Sequence, residues 1–171
     1  MVKSAVANSD SFEVSTPSDV EITITRLFNA PVTLVFEALT RPEHVREWWG
    51  VFADHRVSVC EIDLRVGGRW RFVSTTPRGD VAFRGVYREI EKPTRLVNTE
   101  IFEMFPDAES VVTTTLTREG QKTRLTAVCA YPSQEVRDMV LKSGMETGAA
   151  HSYDAMETLL AKAGASPQPS P

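Results

Sequence analysis

Candidate acid–base residues occur close together in the segment HSYDAM, which contains His151, Tyr153 and Asp154. All three side-chain types can transfer protons in enzyme active sites. The segment follows a helical repeat, however, which places His151 outside the apolar stripe, on the side expected to face solvent. Tyr153 lies at the edge of the stripe, which favours a structural tyrosine over one whose hydroxyl binds a ligand in a pocket. No catalytic residue is therefore predicted from this segment.

A second candidate is the polar pair Asn98 and Glu100, which alternates with Val97, Thr99 and Ile101 along a predicted strand. Period-2 alternation places the polar pair on one face of the sheet and the other residues on the opposite face. The pattern favours a solvated outer face for the pair. The alternative is an inward Glu100, which would pair with an arginine or with a polar ligand because buried polar groups need partners.

Other kinds of catalytic or metal site lack their usual motifs. His44, His55 and His151 are far apart in the sequence and form no zinc-ligand pattern. The chain contains neither a G-x-S-x-G nucleophile elbow nor a phosphate loop, since the segment RVGGRW lacks the spacing of either. The sequence therefore predicts no metal ligand and no cofactor.

Aromatic side chains give a clearer pattern, above all in DLRVGGRWRF, residues 63–72. Gly67 and Gly68 permit the positive φ angles of a turn between two twisted strands. Alternation then places Trp70 and Phe72 on one face, toward the interior, and the two arginines beside them in water. The same alternation places Phe83 and Tyr87 on one face of the next strand. Each of these aromatic residues could belong either to a filled hydrophobic core or to the wall of a pocket.

The composition is that of an ordinary globular chain of 171 residues with a net charge of −4, which argues against a nucleic-acid partner. Cys60 and Cys129 are expected to be buried thiols rather than a disulfide. The sequence has no signal-peptide pattern and no apolar run of about 20 residues, so a cytoplasmic protein without membrane insertion is expected. One domain is predicted over residues 20–164, with disordered tails over 1–19 and 165–171.

The period of the hydrophobic pattern changes along the chain, and these changes indicate the strands and helices that must position these residues. A strand at 21–28 precedes a helix that begins at Pro31 and a short second helix after Pro42. Short links typical of antiparallel hairpins separate the remaining strands. Those strands are predicted at about 56–65, 69–75, 81–90, 95–103, 110–118 and 122–131.

A long helical pattern ends the domain, and Ser133 can cap its start. Gly144 and Gly148 lie inside it, although glycine costs about 1 kcal/mol relative to alanine in a helix. Two explanations are open: a close backbone approach to the sheet or to a ligand, or a kink between a helix at about 133–142 and a longer one after it. The predicted class is α+β, with a curved seven-stranded antiparallel sheet around a long C-terminal helix.

Four motifs in this order resemble the Hsp90-ATPase-activator-like (AHSA1-like) family of the START/Bet v1-like (SRPBCC) superfamily. The resemblance covers about residues 20–163 and implies a helix-grip fold with a cavity between the curved sheet and the long helix. Two positions depart from the family pattern: many members have proline where this chain has Val51, and tryptophan where it has Ala149. If Ala149 faces inward, the smaller side chain would enlarge the cavity. The motifs are FNAPVTLVFEALTRPEHVREWWG, DLRVGGRWRF, FRGVYREIEKPTRLVNTE and SGMETGAAHSYDAMETLLAKAG.

The resemblance implies three kinds of function. Superfamily members bind lipids, sterols, polyketides and plant hormones, so a binding protein for a small hydrophobic or aromatic molecule is the first hypothesis. A co-chaperone that contacts an Hsp90-type chaperone and a cyclase- or hydratase-like enzyme that uses the same cavity are the alternatives. The expected ligand-pocket residues are Trp48, Trp49, Trp70, Phe72, Phe83, Tyr87, Met139, Met145, Ala149, Tyr153 and Met156.

Overall fold

The structure, a computed structural model, describes residues 8–9, 11–51 and 54–165. These residues form nine strands and four helices, an α+β architecture. In chain order the elements are β1 (Asn8–Ser9), β2 (Phe12–Ser15), β3 (Glu21–Phe28), α1 (Val32–Thr40), α2 (Pro42–Trp48), β4 (Arg56–Ile62), β5 (Arg69–Thr76), β6 (Gly79–Glu91), β7 (Arg95–Phe102), β8 (Ser110–Glu119), β9 (Lys122–Ala130), α3 (Gln134–Lys142) and α4 (Met145–Ala165).

The strands form one antiparallel sheet in the order β1-β2-β3-β9-β8-β7-β6-β5-β4. The seven predicted strands are confirmed as β3 to β9. Strands that follow one another in the chain are neighbours in the sheet, except that β3 does not pair with β4. β3 pairs with β9 instead, which brings the two ends of the domain together. Side chains of directly paired residues lie on the same face of an antiparallel sheet. The face that carries Phe28, Trp70 and Phe72 turns toward the helices and is called the inner face below.

The prediction of a disordered tail over residues 1–19 is wrong for residues 12–15. They form β2, which pairs with β3 and buries Phe12 and Val14 in the core. The tail prediction is also wrong for Asn8–Ser9, which form β1 beside β2, so the sheet has nine strands rather than seven. The serine-rich composition around SFEVS concealed two apolar residues at period 2, enough for a short edge strand beside an existing one. The other predicted tail begins inside α4, which extends to Ala165, and residues 1–7 and 166–171 lie outside the described residues.

The two short helices close one end of the inner face. Pro42 occupies the first turn of α2, where its missing N–H is not needed. The Trp48 indole Nε1–H donates to the Ala38 carbonyl oxygen at 2.8 Å, which fixes α2 against α1. The Gly50 N–H donates to Ser152 Oγ at 3.1 Å, and the Ser74 hydroxyl donates to the Gly50 carbonyl at 3.1 Å. This connection ties α2 both to α4 and to β5.

The C-terminal helical pattern is divided at Gly144, whose φ of +85° only glycine adopts readily. The Ser133 side chain accepts a hydrogen bond from the Val136 N–H and caps α3, as expected. A Cβ added at Gly148 would meet nothing within 4 Å, so no backbone packs closely there. Of the two explanations for the glycines, the break between two helices is correct. α4 then crosses the inner face as the long helix of the fold.

Candidate functional site

The two aromatic residues of DLRVGGRWRF lie on the inner face, as predicted. Trp70 is 5% exposed and its ring centroid lies 4.8 Å from that of Phe72. Trp70 is paired with Gly85 on β6, where an added Cβ would lie 1.8 Å from the Thr99 carbonyl oxygen and 2.6 Å from Trp70 Nε1. Glycine is therefore required at position 85 for the indole to fit. The Nε1–H is buried and has no acceptor among the described residues.

The turn before Trp70 uses its two glycines for different reasons. Gly67 has a φ of +83°, the left-handed conformation expected of it. Gly68 does not have a positive φ; it is needed because a Cβ there would lie 2.0 Å from the Asp63 carbonyl oxygen. On the outer face Arg71 donates to both carboxylate oxygens of Glu103, at 2.7 and 3.1 Å. The predicted division between an aromatic inner face and a charged outer face is confirmed here.

Two aromatic clusters extend from this point along the inner face. Trp49 lies edge-on to Phe72 and Phe83, with ring centroids at 5.3 and 5.7 Å. Tyr153 of α4 forms the second cluster, with its ring centroid 5.6 Å from Phe28. Phe12 and Trp48 also lie beside Tyr153, at 6.3 and 6.2 Å. Tyr153 therefore connects α4 to β2, β3 and α2.

The predicted pocket residues differ in exposure, and ten of the eleven belong to one hydrophobic cluster or pack against it. The fully buried members of this set pack as core: they are Trp48, Trp70, Phe72, Tyr87 and Met156. The half-buried members lie against that core: they are Trp49, Phe83, Met145, Ala149 and Tyr153. The remaining residue, Met139, is not brought together with them.

Met139 lies on the outer side of α3 and is 49% exposed, so its predicted place beside the other pocket residues is wrong. The helical repeat predicted for a single long helix does not hold across the break at Gly144. Met139 instead lines a surface groove of about 350 Å³ with Met104, Phe105 and Val136. Met104 and Phe105 belong to the β7–β8 connection and are themselves exposed. This groove is separate from the inner face.

Glu100 faces inward, contrary to the solvated outer face that its sequence pattern favours. It is paired with Ser110 of β8, and two residues away Asn98 pairs with Tyr87 and Val112, which both lie on the inner face. Val97, Thr99 and Ile101 are instead buried on the outer face. On that side the Thr99 hydroxyl accepts the Val86 N–H at 2.9 Å. Alternation identified the two faces of β7 but not which one faces the helices.

The carboxyl of Glu100 is enclosed by protein. Burial raises its pKa to about 7, and no neighbouring cation or hydrogen-bond donor contributes to this pKa. The side chain nevertheless remains half-buried rather than fully buried. Its inner-face neighbours Asn98, Val112 and Tyr131 are also half-buried.

Three further titratable groups lie within electrostatic reach of Glu100. Burial raises the pKa of the Cys129 thiol to about 12, and the charge of Glu100 adds to this rise. Burial also raises the pKa of Tyr131 and of Tyr153, again with a contribution from Glu100. These three groups are therefore neutral near pH 7. Glu100 is the member of this group whose charge changes in the neutral range.

The cation on the inner face, Arg26, already has a partner. Its Nη1 donates to Asp154 Oδ1 at 2.8 Å, and its guanidinium lies 5.6 Å from the centroid of the Phe28 ring. Asp154, one of the sequence candidates for acid–base chemistry, thus holds a buried arginine. The Arg26 Nε is buried without an acceptor in the described part of the chain. Arg26 contributes to the pKa of Tyr153, where it opposes the rise, but not to that of Glu100.

The other chemical candidates lie apart from this site. His151 is exposed on α4, as expected from its place in the helical repeat. Cys60 and Cys129 are buried free thiols, which confirms that they form no disulfide. Within residues 8–9, 11–51 and 54–165, no three histidine, cysteine or acidic residues are grouped so that they could hold a metal ion. The helices in the same residues are all too short or too polar to cross a bilayer.

An antiparallel sheet that grips a long C-terminal helix, with two short helices after an early strand, defines the helix-grip class of α+β proteins. Residues 29–161 match the family model described as Activator of Hsp90 ATPase homolog 1-like protein. The chain belongs to this family. Among curated proteins, none matches the chain significantly.

Solved structures support the same fold over nearly the whole chain. A crystal structure of a Rhodobacter sphaeroides protein is 27% identical, with a TM-score of 0.80 over 89% of this chain and 99% of that one. Protein Ms6760 from Mycobacterium smegmatis is 29% identical, with a TM-score of 0.75 over 86% and 96%. Protein NE0264 from Nitrosomonas europaea is 25% identical, with a TM-score of 0.78 over 88% and 100%.

Proposed function

We propose that this protein binds a small, largely hydrophobic molecule between the inner face of the sheet and α4. The observation that carries the proposal is the half-buried state of the inner-face residues around Glu100. Elsewhere the core is closed, and Phe28 and Met156 are fully buried. A concave, mostly apolar space with a few polar groups is the usual form of a small-molecule site.

The walls of this space suit an aromatic or aliphatic ligand. Phe83 and Trp49, together with Met145 and Ala149 of α4, are half-buried and pack against the core, so we expect them to line this space. Methionine side chains adapt to ligands of different shape because they are unbranched and flexible. Trp70 and Phe72 are more deeply buried than these residues and pack within the core.

Ala149→Trp is the sharpest test because it fills the space without removing a contact. Melting temperature is measured with a panel of hydrophobic compounds for the native chain, for Ala149→Trp and for Ala161→Trp. Ala161 is exposed on the same helix, so the control adds the same side chain outside the site. A ligand at about 100 times its Kd adds about 2.7 kcal/mol, or about 5–10 °C for a chain of this size.

The expected result is a rise in melting temperature for the native chain and for Ala161→Trp, and no rise for Ala149→Trp. If no compound raises the melting temperature of the native chain, the proposal fails. If Ala149→Trp responds as strongly as the native chain, ligands bind elsewhere. The surface groove beside Met139 is then the place to examine.

A second candidate function, catalysis in the same space, is favoured by Glu100. A cyclase or hydratase needs an inward acid or base, and a carboxyl with a pKa of about 7 is suited to both roles near neutral pH. Turnover of polyketide-like or unsaturated substrates by the native chain, absent in Glu100→Gln, would support this candidate. Binding of those substrates without turnover would remove it.

The interaction alternative, a contact with an Hsp90-type chaperone, is tested separately. Its surface candidate is the groove of Met104, Phe105 and Met139, because these apolar side chains are exposed. The assay is the ATPase rate of the cognate chaperone with and without this protein. Stimulation that is lost in Phe105→Ala supports the contact, and an unchanged rate in the presence of the native chain excludes it.

A further inference from the structure

Glu100 is a carboxylate for which the described part of the protein supplies no counter-charge. Its side chain lies on the inner face, where its row of the sheet continues into Ser110 of β8. The Ser110 hydroxyl does not bind the carboxylate but donates to the backbone carbonyl of Glu100, at 3.2 Å. Among the residues that the structure describes, no donor or cation is recorded on the Glu100 carboxylate.

The two buried arginines of the described chain are engaged elsewhere. Arg26 is held by Asp154 on the inner face. Arg137, which is buried near the start of α3, binds Asp138 and the Ser18 carbonyl oxygen. An enclosed carboxylate without a partner is costly, so it either takes up a proton or pairs with a cation from outside the chain.

We propose that the ligand of the inner-face space is a hydrophobic molecule with one basic amine, whose ammonium pairs with Glu100. This inference rests on the proposed binding function and defines its ligand class. A neutral hydroxyl group would give Glu100 one hydrogen bond but would leave its charge uncompensated. An ammonium supplies both the charge and the donors.

The neighbouring polar groups can accept the remaining N–H groups of an ammonium. The Asn98 amide nitrogen donates to the Thr99 carbonyl at 3.0 Å, which leaves the amide oxygen of Asn98 as an acceptor. The hydroxyl groups of Tyr131 and Tyr153 are neutral near pH 7, because burial raises the pKa of both. Val112, which is paired with Asn98, is apolar and half-buried, so it suits the rest of the ligand.

Protonation of Glu100 is expected to compete with the amine. The titratable groups within its electrostatic reach are Cys129, Tyr131 and Tyr153, and all three stay neutral below pH 8. The charged pair Arg26 and Asp154 faces Tyr153. The charged fraction of a carboxyl with a pKa of about 7 falls about 100-fold between pH 8 and pH 5, so affinity for an amine should fall at least about tenfold over this range.

The experiment compares matched pairs of aryl-alkyl amines and alcohols, beginning with phenylbutylamine and phenylbutanol. Each pair differs only in an ammonium or a hydroxyl at one end. Binding to the native chain, to Glu100→Gln and to Glu61→Gln is measured by calorimetry from pH 5 to pH 8. Glu61 is an exposed glutamate in a strand, so the same change there controls for loss of one charge. The pH series on the native chain needs no variant and remains informative if Glu100→Gln folds poorly.

The proposal expects the amines to bind the native chain at least about tenfold more tightly than the alcohols at pH 8, a difference of about 1.4 kcal/mol. This preference should disappear at pH 5 and in Glu100→Gln but remain in Glu61→Gln. If the alcohols bind as tightly as the amines, the amine inference is overturned and the binding function stands. If no member of any pair binds, both are overturned.

Discussion

Replacing Glu100 by glutamine is expected to stabilise the protein above pH 7 relative to the native chain, and to have no such effect near pH 4.5. In the folded protein, burial raises the pKa of Glu100 from its ordinary 4.5 to about 7. Below about pH 4.5 the carboxyl is protonated in both the folded and the unfolded chain. Between about pH 4.5 and 7 the unfolded chain loses this proton while the folded chain keeps it, so stability falls as the pH rises.

The size of the effect follows from the two pKa values. Each pKa unit corresponds to about 1.4 kcal/mol, so the interval from 4.5 to about 7 corresponds to a loss of about 3 kcal/mol in the free energy of unfolding. Glutamine does not titrate, and Glu100→Gln should lack this loss. For a chain of this size, the gap in melting temperature at pH 8 is expected to be about 6–12 °C.

Urea denaturation followed by tryptophan fluorescence, repeated from pH 4.5 to pH 8.5, measures this difference. The new amide can add a constant offset, but only titration of Glu100 makes the two stability curves diverge with pH. Glu61→Gln serves as the control, because Glu61 is exposed and its curve should follow the native one. If the curves of Glu100→Gln and the native chain are parallel throughout, Glu100 is not a desolvated, unpaired carboxyl and the reasoning is refuted.

Five substitutions test the packing of the chain by urea denaturation. Gly85→Ala should cost about 3 kcal/mol or more, because its Cβ would lie 1.8 Å from a backbone oxygen. Gly148→Ala, in open space within α4, should instead gain about 0.5–1 kcal/mol. Trp70→Ala should cost about 3–5 kcal/mol as a core truncation, whether or not ligand is present. Phe12→Ala should cost a similar amount if β2 is part of the core, whereas Phe105→Ala, at an exposed site, should change stability by about 0.5 kcal/mol or less.

The main architecture could be predicted from the sequence because the hydrophobic periodicity and the positions of the turn-forming residues agree over most of the chain. The alternation in Glu21–Phe28 and the glycine pair before Trp70 identify β3 and the β4–β5 turn without ambiguity. The strand at Phe12–Ser15 could not be predicted in the same way, and the sequence predicts a disordered tail there. It is short, its neighbours are serines, and it is stable only because the edge of β3 is available for pairing.

The site was harder to predict because alternation fixes the two faces of a strand but not which face looks inward. In β7 the apolar residues Val97 and Ile101 lie outward, and the polar pair Asn98 and Glu100 lies inward. The signal that could have revealed this is the pairing of Asn98 with Tyr87, a residue predicted to face the interior. That pairing depends on an irregularity in register between Tyr87 and Glu89, which no local pattern in the sequence marks.

The inner face therefore combines close packing with a polar pair, and the packing explains why the chain tolerates Glu100. Phe28, Leu125 and Met156 are fully buried, which supplies close packing. Glu100 and Asn98 are half-buried and bring polar groups into the interior. The row of the sheet that contains Asn98 also contains Ile22, which is fully buried. A cost of about 3 kcal/mol is a large share of the roughly 5–15 kcal/mol that holds a domain together, so it must be offset by this packing. Because Glu100 adds to this cost and not to the packing, Glu100→Gln is expected to leave the chain folded, and its effect on ligand choice can be measured.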